Sequence, residues 1–226
     1  MAALESQLLN SIPGVFHSFG TADEPVSKKW LSEWESTKPT WKQVHGTACA
    51  HVTSPLQNCG EVDSLWTDLP EQWVGVATAD CVPILIADKT GRAVAAVHAG
   101  WRGTLAKAVK PVLLAMGRAG YSGSDLIAAI GPSIGACCFE VGENVVEQFL
   151  TEFPQISEEA LIPKPLHLDL AVVNEALLRG FGIEQIETLH SCTKCSRDHE
   201  GKPLFQSFRR DGGTVRQWSI ISRKSR

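Results

Sequence analysis

Three short apolar runs follow one another with almost no chain between them: Trp73–Thr78 (WVGVAT), Val82–Ala87 (VPILIA) and Ala93–Val97 (AVAAV). Runs of this length bounded by turn residues read as strands. Ala79-Asp80-Cys81 separates the first two, and Lys89-Thr90-Gly91 turns the chain into the third. A helical pattern opens at Thr104, where Leu105, Val109, Val112, Leu113 and Met116 form one apolar stripe. Pro111 sits inside that stripe and predicts a kink or a shortened first half. Leu126–Ile130 is a further strand, stopped by Gly131-Pro132. Helices are predicted over Gly142–Phe149 and from the N-cap Asp169 to Arg179, with Gly180 beyond. Ile186–Leu189, Leu204–Phe208 and Val215–Ile221 read as closing strands. Upstream, Ser18–Thr40 is turn-rich and Trp-containing, with a short helix near Ser27–Glu35. Hairpin-linked and helix-linked strands in one chain predict a mixed α/β domain with layered sheets rather than a doubly wound parallel one.

At 226 residues, 43% hydrophobic and 20% charged, the chain is expected to fill one large core without disulfide or oligomer support. A net charge of −4 gives no electrostatic footprint for nucleic acid. The basic tail Arg223-Lys224-Ser225-Arg226 is expected to be solvated. No run of apolar residues is long enough to cross a membrane as a helix. The first residues lack the basic and apolar segments of a secretory signal, and seven Cys show no framework spacing. These features predict a cytoplasmic protein with reduced thiols. Monomer and homodimer are equally open.

Three metal-ligating side chains stand where a strand meets a turn: His45 in Gln43-Val44-His45-Gly46, Cys81 after Thr78-Ala79-Asp80, and His98 in Val97-His98-Ala99-Gly100. Two imidazoles and a thiolate suit zinc, and three protein ligands leave a fourth position for water, the arrangement of a catalytic site. The spacing alone leaves open a buried Cys and two hydrogen-bonded His. Asp80 is either a proton shuttle or a turn cap. Gly100–Thr104 leads into a helix N-terminus suited to an anion, with Gly103 in its backbone and Arg102 as either a bidentate anion contact or a surface ion pair. Of Arg209 and Arg210, one is expected to face substrate and the other to pair with an acidic neighbour. Trp101 reads as core packing or a base-stacking ring. Cys137-Cys138 is expected to line the cavity as small hydrophobes. Cys192-x2-Cys195, with His199 nearby, would need a further ligand from elsewhere to hold a structural metal, and reads as a loop with ordinary thiols. His17, His51, His167 and His190 read as surface or packing residues.

The strings Gln43-Val44-His45-Gly46, TADCVPIL (Thr78–Leu85), VHAGWRGT (Val97–Thr104), GPSIGACCFEVG (Gly131–Gly142) and FRRDG (Phe208–Gly212) occur in this order along the chain. Together they resemble the multicopper-oxidase-like laccase-domain family, also described as purine nucleoside phosphorylases or peptidoglycan editing factors. The resemblance covers about residues 40–221, within a single domain over 1–226 whose first 40 residues are divergent and shortened. It implies a layered α/β/β/α sandwich and a zinc site of His45, Cys81 and His98, with copper binding there adventitious. It also implies phosphorolysis of adenosine, inosine, guanosine and methylthioadenosine, with hydrolytic deamination of adenosine as a companion reaction. The catalytic set would then be Cys81, His98, His45 and Asp80, with Arg102, Gly103, Arg209 and Arg210 toward substrate and phosphate.

Two departures from the family pattern bear on the reaction. Ala22, in Phe19-Gly20-Thr21-Ala22-Asp23-Glu24, stands where relatives carry an Arg associated with phosphate or substrate. Phe139 replaces the Tyr of the CCYEVG string. Two other functions compete: a cytoplasmic hydrolase editing peptidoglycan precursors with Cys81 as nucleophile and His98 as base, and a copper-dependent phenol oxidase. The oxidase would need a His-rich copper cluster, and the chain has seven His without a His-x-His pair. A non-catalytic metal-binding module predicts zinc without turnover.

Overall fold

The apolar runs alternate in direction once paired, and that alternation sets the layers. The computed structural model describes residues 1–225. Its strands are β1 (Val15–Phe19), β2 (Thr40–Lys42), β3 (Cys49–His51), β4 (Asn58–Glu61), β5 (Ser64–Thr67), β6 (Trp73–Thr78), β7 (Val82–Asp88), β8 (Val94–Ala99), β9 (Leu126–Ile130), β10 (Gln185–Thr188) and β11 (Gln217–Arg223). Its α-helices are α1 (Gln7–Asn10), α2 (Leu31–Thr37), α3 (Trp101–Leu105), α4 (Val109–Arg118), α5 (Glu143–Glu152), α6 (Glu158–Leu161), α7 (Leu170–Gly180) and α8 (Phe208–Asp211).

A mixed six-stranded sheet runs in the order β10-β9-β7-β8-β5-β3, and a three-stranded antiparallel sheet in the order β1-β11-β6. The short strands β2 and β4 pair apart from both. On β7, Val82, Ile84 and Ile86 face one core with Ala95, Val97 and Ala99 of β8, against Val109, Val112, Leu113 and Met116 of α4 and the apolar faces of α5 and α7. Leu85 and Ala87 face the other way, into a second core with Val94, Ala96, Val74, Val76 and Ile221, between the sheets. Trp34 of α2 covers the outer side of the small sheet with Trp73 and Ile220. The layers are therefore helix, sheet, sheet, helix. Burying a side chain of Leu85's size contributes about 1.5–3 kcal/mol, so central strands apolar on both faces supply a large share of the core.

Several expectations need correction. The helix after His98 breaks at 106–108, before Pro111, where Lys107 takes a positive φ of 60°. Pro111 instead falls in the first turn of α4, where a missing N–H costs nothing. Leu204–Phe208 is not a strand: Ser207 caps the one-turn helix α8, accepting from the Arg210 N–H, and Gly212 closes it in a left-handed conformation. Arg223 is not solvated. It ends β11, and its guanidinium donates to the carbonyls of Gly91 and Asp68; Arg226 lies outside the described residues.

Edge strand β1 carries a buried histidine. His17 Nε2 accepts from the Ser6 N–H at 2.7 Å, and Ser6 Oγ donates to Glu187 at 2.6 Å, tying α1 to β10. Burial outweighs the nearby Glu5 and Glu187 and pushes the imidazole down to about 4. Since an unfolded histidine titrates near about 6.5, the unfolded chain binds the extra proton between the two values. Stability should therefore fall as pH drops through that window, by about 3 kcal/mol in all. Denaturant titration from pH 7 to pH 4 checks this, and His17→Gln should flatten that part of the profile.

Candidate metal centre and cavity

Strand ends fix the three donors. His98 lies near the end of β8, paired opposite Pro83 of β7, and Cys81 immediately precedes β7. His45 comes from the loop after β2, in a left-handed conformation with φ of 61°. That loop is held in two ways. The Gln43 side chain donates to and accepts from the Ala77 backbone, both at 2.8 Å, and so acts as a peptide partner for the free edge of β6. Asp63 accepts from the N–H groups of Val44, His45 and Gly46 at 3.3, 2.9 and 2.7 Å.

The same Asp63 carboxylate, fully buried, accepts from His98 Nδ1 at 2.8 Å. Because a carboxylate only accepts, that contact keeps a proton on Nδ1 and turns Nε2 of His98 toward the other two donors. The donor atoms of His45, Cys81 and His98 all lie within 4.8 Å of one another. Cys81 Sγ is 3.8 Å from His45 Nε2, close to the about 3.6 Å that a tetrahedral zinc imposes between a sulfur and a nitrogen ligand. Gly100 permits the convergence, since a Cβ there would stand 3.0 Å from both Cys81 Sγ and His45 Cδ2.

Electrostatics favour the ligating form of the thiol. Burial alone would push Cys81 up, but hydrogen bonds and charge from His45 and His98 outweigh it and bring the thiol down to about 6. Burial would lower His98, yet Asp63 and the Cys81 thiolate raise it to about 9. Asp63 itself is held below the usual carboxylate range: its burial is overcome by the bonds from His98, Gly46 and Val44.

Above the donors opens a cavity of about 620 Å³. Trp41, Trp101, Phe139, Phe208 and Trp218 give it aromatic walls, and Arg102, Arg209 and Arg216 give it positive charge. The Arg102 guanidinium lies over the Trp101 ring at 4.3 Å, and that of Arg209 over Phe139 at 5.4 Å. Arg210 does not line the cavity. It forks onto Asp211 and donates to the carbonyls of Thr193, Lys194 and Phe205. Gly103 is buried in α3, close to the Gly46 carbonyl, and α3 itself is a single short turn.

Asp80 lines the cavity with both carboxylate oxygens engaged. One accepts from Thr193 Oγ1 and the other from the Arg209 N–H, each at 2.6 Å. Cys137 and Cys138, expected at the cavity, do not line it; Ile134 and Phe139 of the same loop do. Sequence reasoning missed Asp63 and Arg216. An acid just before the apolar run Ser64–Thr67 was the available signal for the first. Arg216 lay inside an expected strand and offered none.

The family model described as multi-copper polyphenol oxidoreductase laccase matches residues 27–224. The chain belongs to that family. A purine nucleoside phosphorylase of Bacteroides thetaiotaomicron is 42% identical over 71% of the chain, and the match spans 59% of that relative's length. Adenosine deaminase RL5, from an unknown prokaryotic organism, is 39% identical over 72% of the chain and 63% of its own. The crystal structure of YlmD from Geobacillus stearothermophilus has the same fold, with a TM-score of 0.81 and 26% identity over 100% of this chain and 97% of that one.

Asp63→Asn keeps the size of the side chain but not its charge. Loss of a carboxylate behind a metal-ligating His weakens metal binding by about 10–100-fold. Competition with a chelator should show that loss at the His45–Cys81–His98 site, with the unfolding transition still cooperative.

Proposed function

We propose that the chain is a zinc-dependent purine nucleoside enzyme that cleaves adenosine and related nucleosides with phosphate and also deaminates adenosine hydrolytically. The observation that carries this reading is the meeting, in one aromatic cavity, of a His-Cys-His donor set with three arginines. Aromatic walls suit a flat purine, and a volume of about 620 Å³ lies within the range of small-molecule sites. The relatives' names point to the same substrate class.

His45, Cys81 and His98 would hold the zinc. When bound there, zinc supplies Lewis acidity and lowers the pKa of a water molecule toward neutrality. In phosphorolysis a phosphate oxygen bonds to C1′ of the ribose while the C1′–N9 bond breaks, and the departing base takes up a proton. Arg209 and Arg216 offer the phosphate fixed positive charge, as does Arg102 from α3. In deamination water adds at C6 of the purine and ammonia leaves. Asp80 positions the Arg209 backbone and the Thr193 loop, and would take part in proton transfer only by sharing an oxygen bonded to one of them. Phe139 gives its face to the Arg209 guanidinium, a contact that requires no hydroxyl. Seven thiols, all free, fit a reducing compartment such as the cytoplasm.

One observation favours a second reading. A thiol lowered to about 6 beside His98 is also a nucleophile suited to acyl transfer, as an editor of peptidoglycan precursors would need.

Chromatographic assay of zinc-loaded protein with adenosine separates these readings. Phosphate-dependent adenine that disappears in Cys81→Ala supports the phosphorylase, and inosine formed without phosphate supports the deaminase. Neither product from zinc-loaded protein sinks the nucleoside reading; cleavage of a peptidoglycan precursor by chelated protein, blocked by alkylation, points to the thiol hydrolase. Arg216→Ala should raise the phosphate KM by about tenfold, roughly 1.4 kcal/mol, with kcat little changed.

A further inference from the structure

Fifty-odd residues of chain separate Cys137-Cys138 from Cys192-x2-Cys195, yet the fold brings all four thiols to one point. Their Sγ atoms lie within 4.8 Å of one another. We propose that Cys137, Cys138, Cys192 and Cys195 form a second zinc site, structural and closed, distinct from the His45–Cys81–His98 centre.

The distances favour a metal over a disulfide. Cys137 Sγ and Cys195 Sγ are 3.6 Å apart, far beyond the about 2.05 Å of an S–S bond. Four sulfurs each about 2.3 Å from a tetrahedral zinc stand about 3.8 Å from one another. A four-iron cluster would need its cysteines spread wider than this, whereas a single ion fits between them. Tetrathiolate sets select zinc or a single iron, and zinc is the commoner structural ion of the two.

Backbone geometry supports the same assignment. The Cys192-x2-Cys195 segment forms a tight knuckle, with the Ser196 N–H donating to the Cys192 carbonyl at 3.0 Å. The Gly135 N–H donates to Cys192 Sγ at 3.4 Å, the kind of bond that stabilises a thiolate ligand. Cys138 and Phe139 donate from their N–H groups to the Gly135 carbonyl, which curls the first pair toward the second. Gly135 packs beside both pairs, at ordinary contact distance from Cys137 Sγ and Cys192 Cβ. The two segments also meet at the Ser133–Cys192 bridge, where the Thr193 N–H donates to the Ser133 carbonyl.

The position gives the ion a task. One segment carries Ile134 and Phe139 into the cavity wall, and the other carries Thr193 to the Asp80 carboxylate. A tetrathiolate zinc joins them from behind. It fastens the two loops to each other, adding to the contacts they already make, and so steadies the cavity wall without touching substrate.

The test is metal stoichiometry and cobalt spectroscopy on the full chain, purified with reductant and zinc. Wild type should hold two zinc ions per chain, and Cys81→Ala and Cys192→Ser/Cys195→Ser one each. Cobalt-loaded Cys81→Ala should show the intense, red-shifted d–d bands of a tetrathiolate site, and its four thiols should resist a thiol reagent until chelator is added. Because Cys81→Ala leaves the four-cysteine cluster untouched, this arm holds even where the double variant does not fold. A single zinc in wild type that vanishes in Cys81→Ala, iron in place of zinc, or a disulfide within the cluster under reducing conditions would each overturn the proposal.

Discussion

One buried carboxylate holds the site together. Asp63 takes N–H donors from three successive residues of the loop before β3 and a fourth from the His98 ring. A carboxylate removed from water costs several kcal/mol unless it is fully bonded, and four donors at one group meet that requirement. The bonds also offset the strain of His45, whose left-handed backbone costs about 1–2 kcal/mol, against about 1.5–3 kcal/mol for each hydrogen bond to a charged group. Both histidines are thereby tied to one atom group: His45 through its backbone, His98 through its ring. Their relative position follows from Asp63 rather than from the ion they would hold, which is what a preorganised metal site requires.

The other side of the cavity is built differently. Its floor consists of sheet ends, where β6, β7 and β8 are locked by their ladders. Another part of the wall comes from Ile134 and Phe139 of one loop and from Phe208 and Arg209 of α8, and the Cys192–Cys195 loop bonds to the first of these loops. Asp80 couples floor to wall. It sits at the β6–β7 turn with φ of 91°, its carbonyl accepts from the Ile134 N–H, and its carboxylate accepts from Thr193 and Arg209. Every loop of the wall is therefore anchored, directly or through one bond, to the residue that precedes Cys81. This makes Asp80 a positioning residue first. A proton-transfer role would have to share an oxygen already bonded.

Legibility in the sequence followed the range of the forces involved. Strands β6 to β9 and helices α4, α5 and α7 were readable because burial writes a period into adjacent residues. The donors His45, Cys81 and His98 were readable as residue types at strand ends, but only the motif strings joined them. Strand β1 was missed because VFHSF places a histidine and a serine in buried positions, the histidine held through Nε2 by the Ser6 N–H, so the segment carries no apolar alternation. Leu204–Phe208 was misread as strand because the turn it leads into is set by Ser207 and by Asp80, 129 residues from Arg209. Asp63 and the meeting of Cys137 with Cys195 belong to the same class, since long-range polar contacts leave no local pattern.

The donor inventory also bears on the oxidase chemistry in the family's description. Four-electron reduction of oxygen by a multicopper enzyme needs several coppers held by a crowd of imidazoles. Among the described residues the histidines are dispersed. His17 is committed to Ser6, His51 stacks on Trp66 beside Asp68, His167 bonds the Pro165 carbonyl, and His199 lies exposed next to Glu200. Only His45 and His98 share a site, and Cys81 completes it. That set can hold one ion with an open position, which suits hydrolytic or group-transfer chemistry at a polarised oxygen. Among the described residues no further histidine stands beside that set, whereas a multicopper cluster would draw on several.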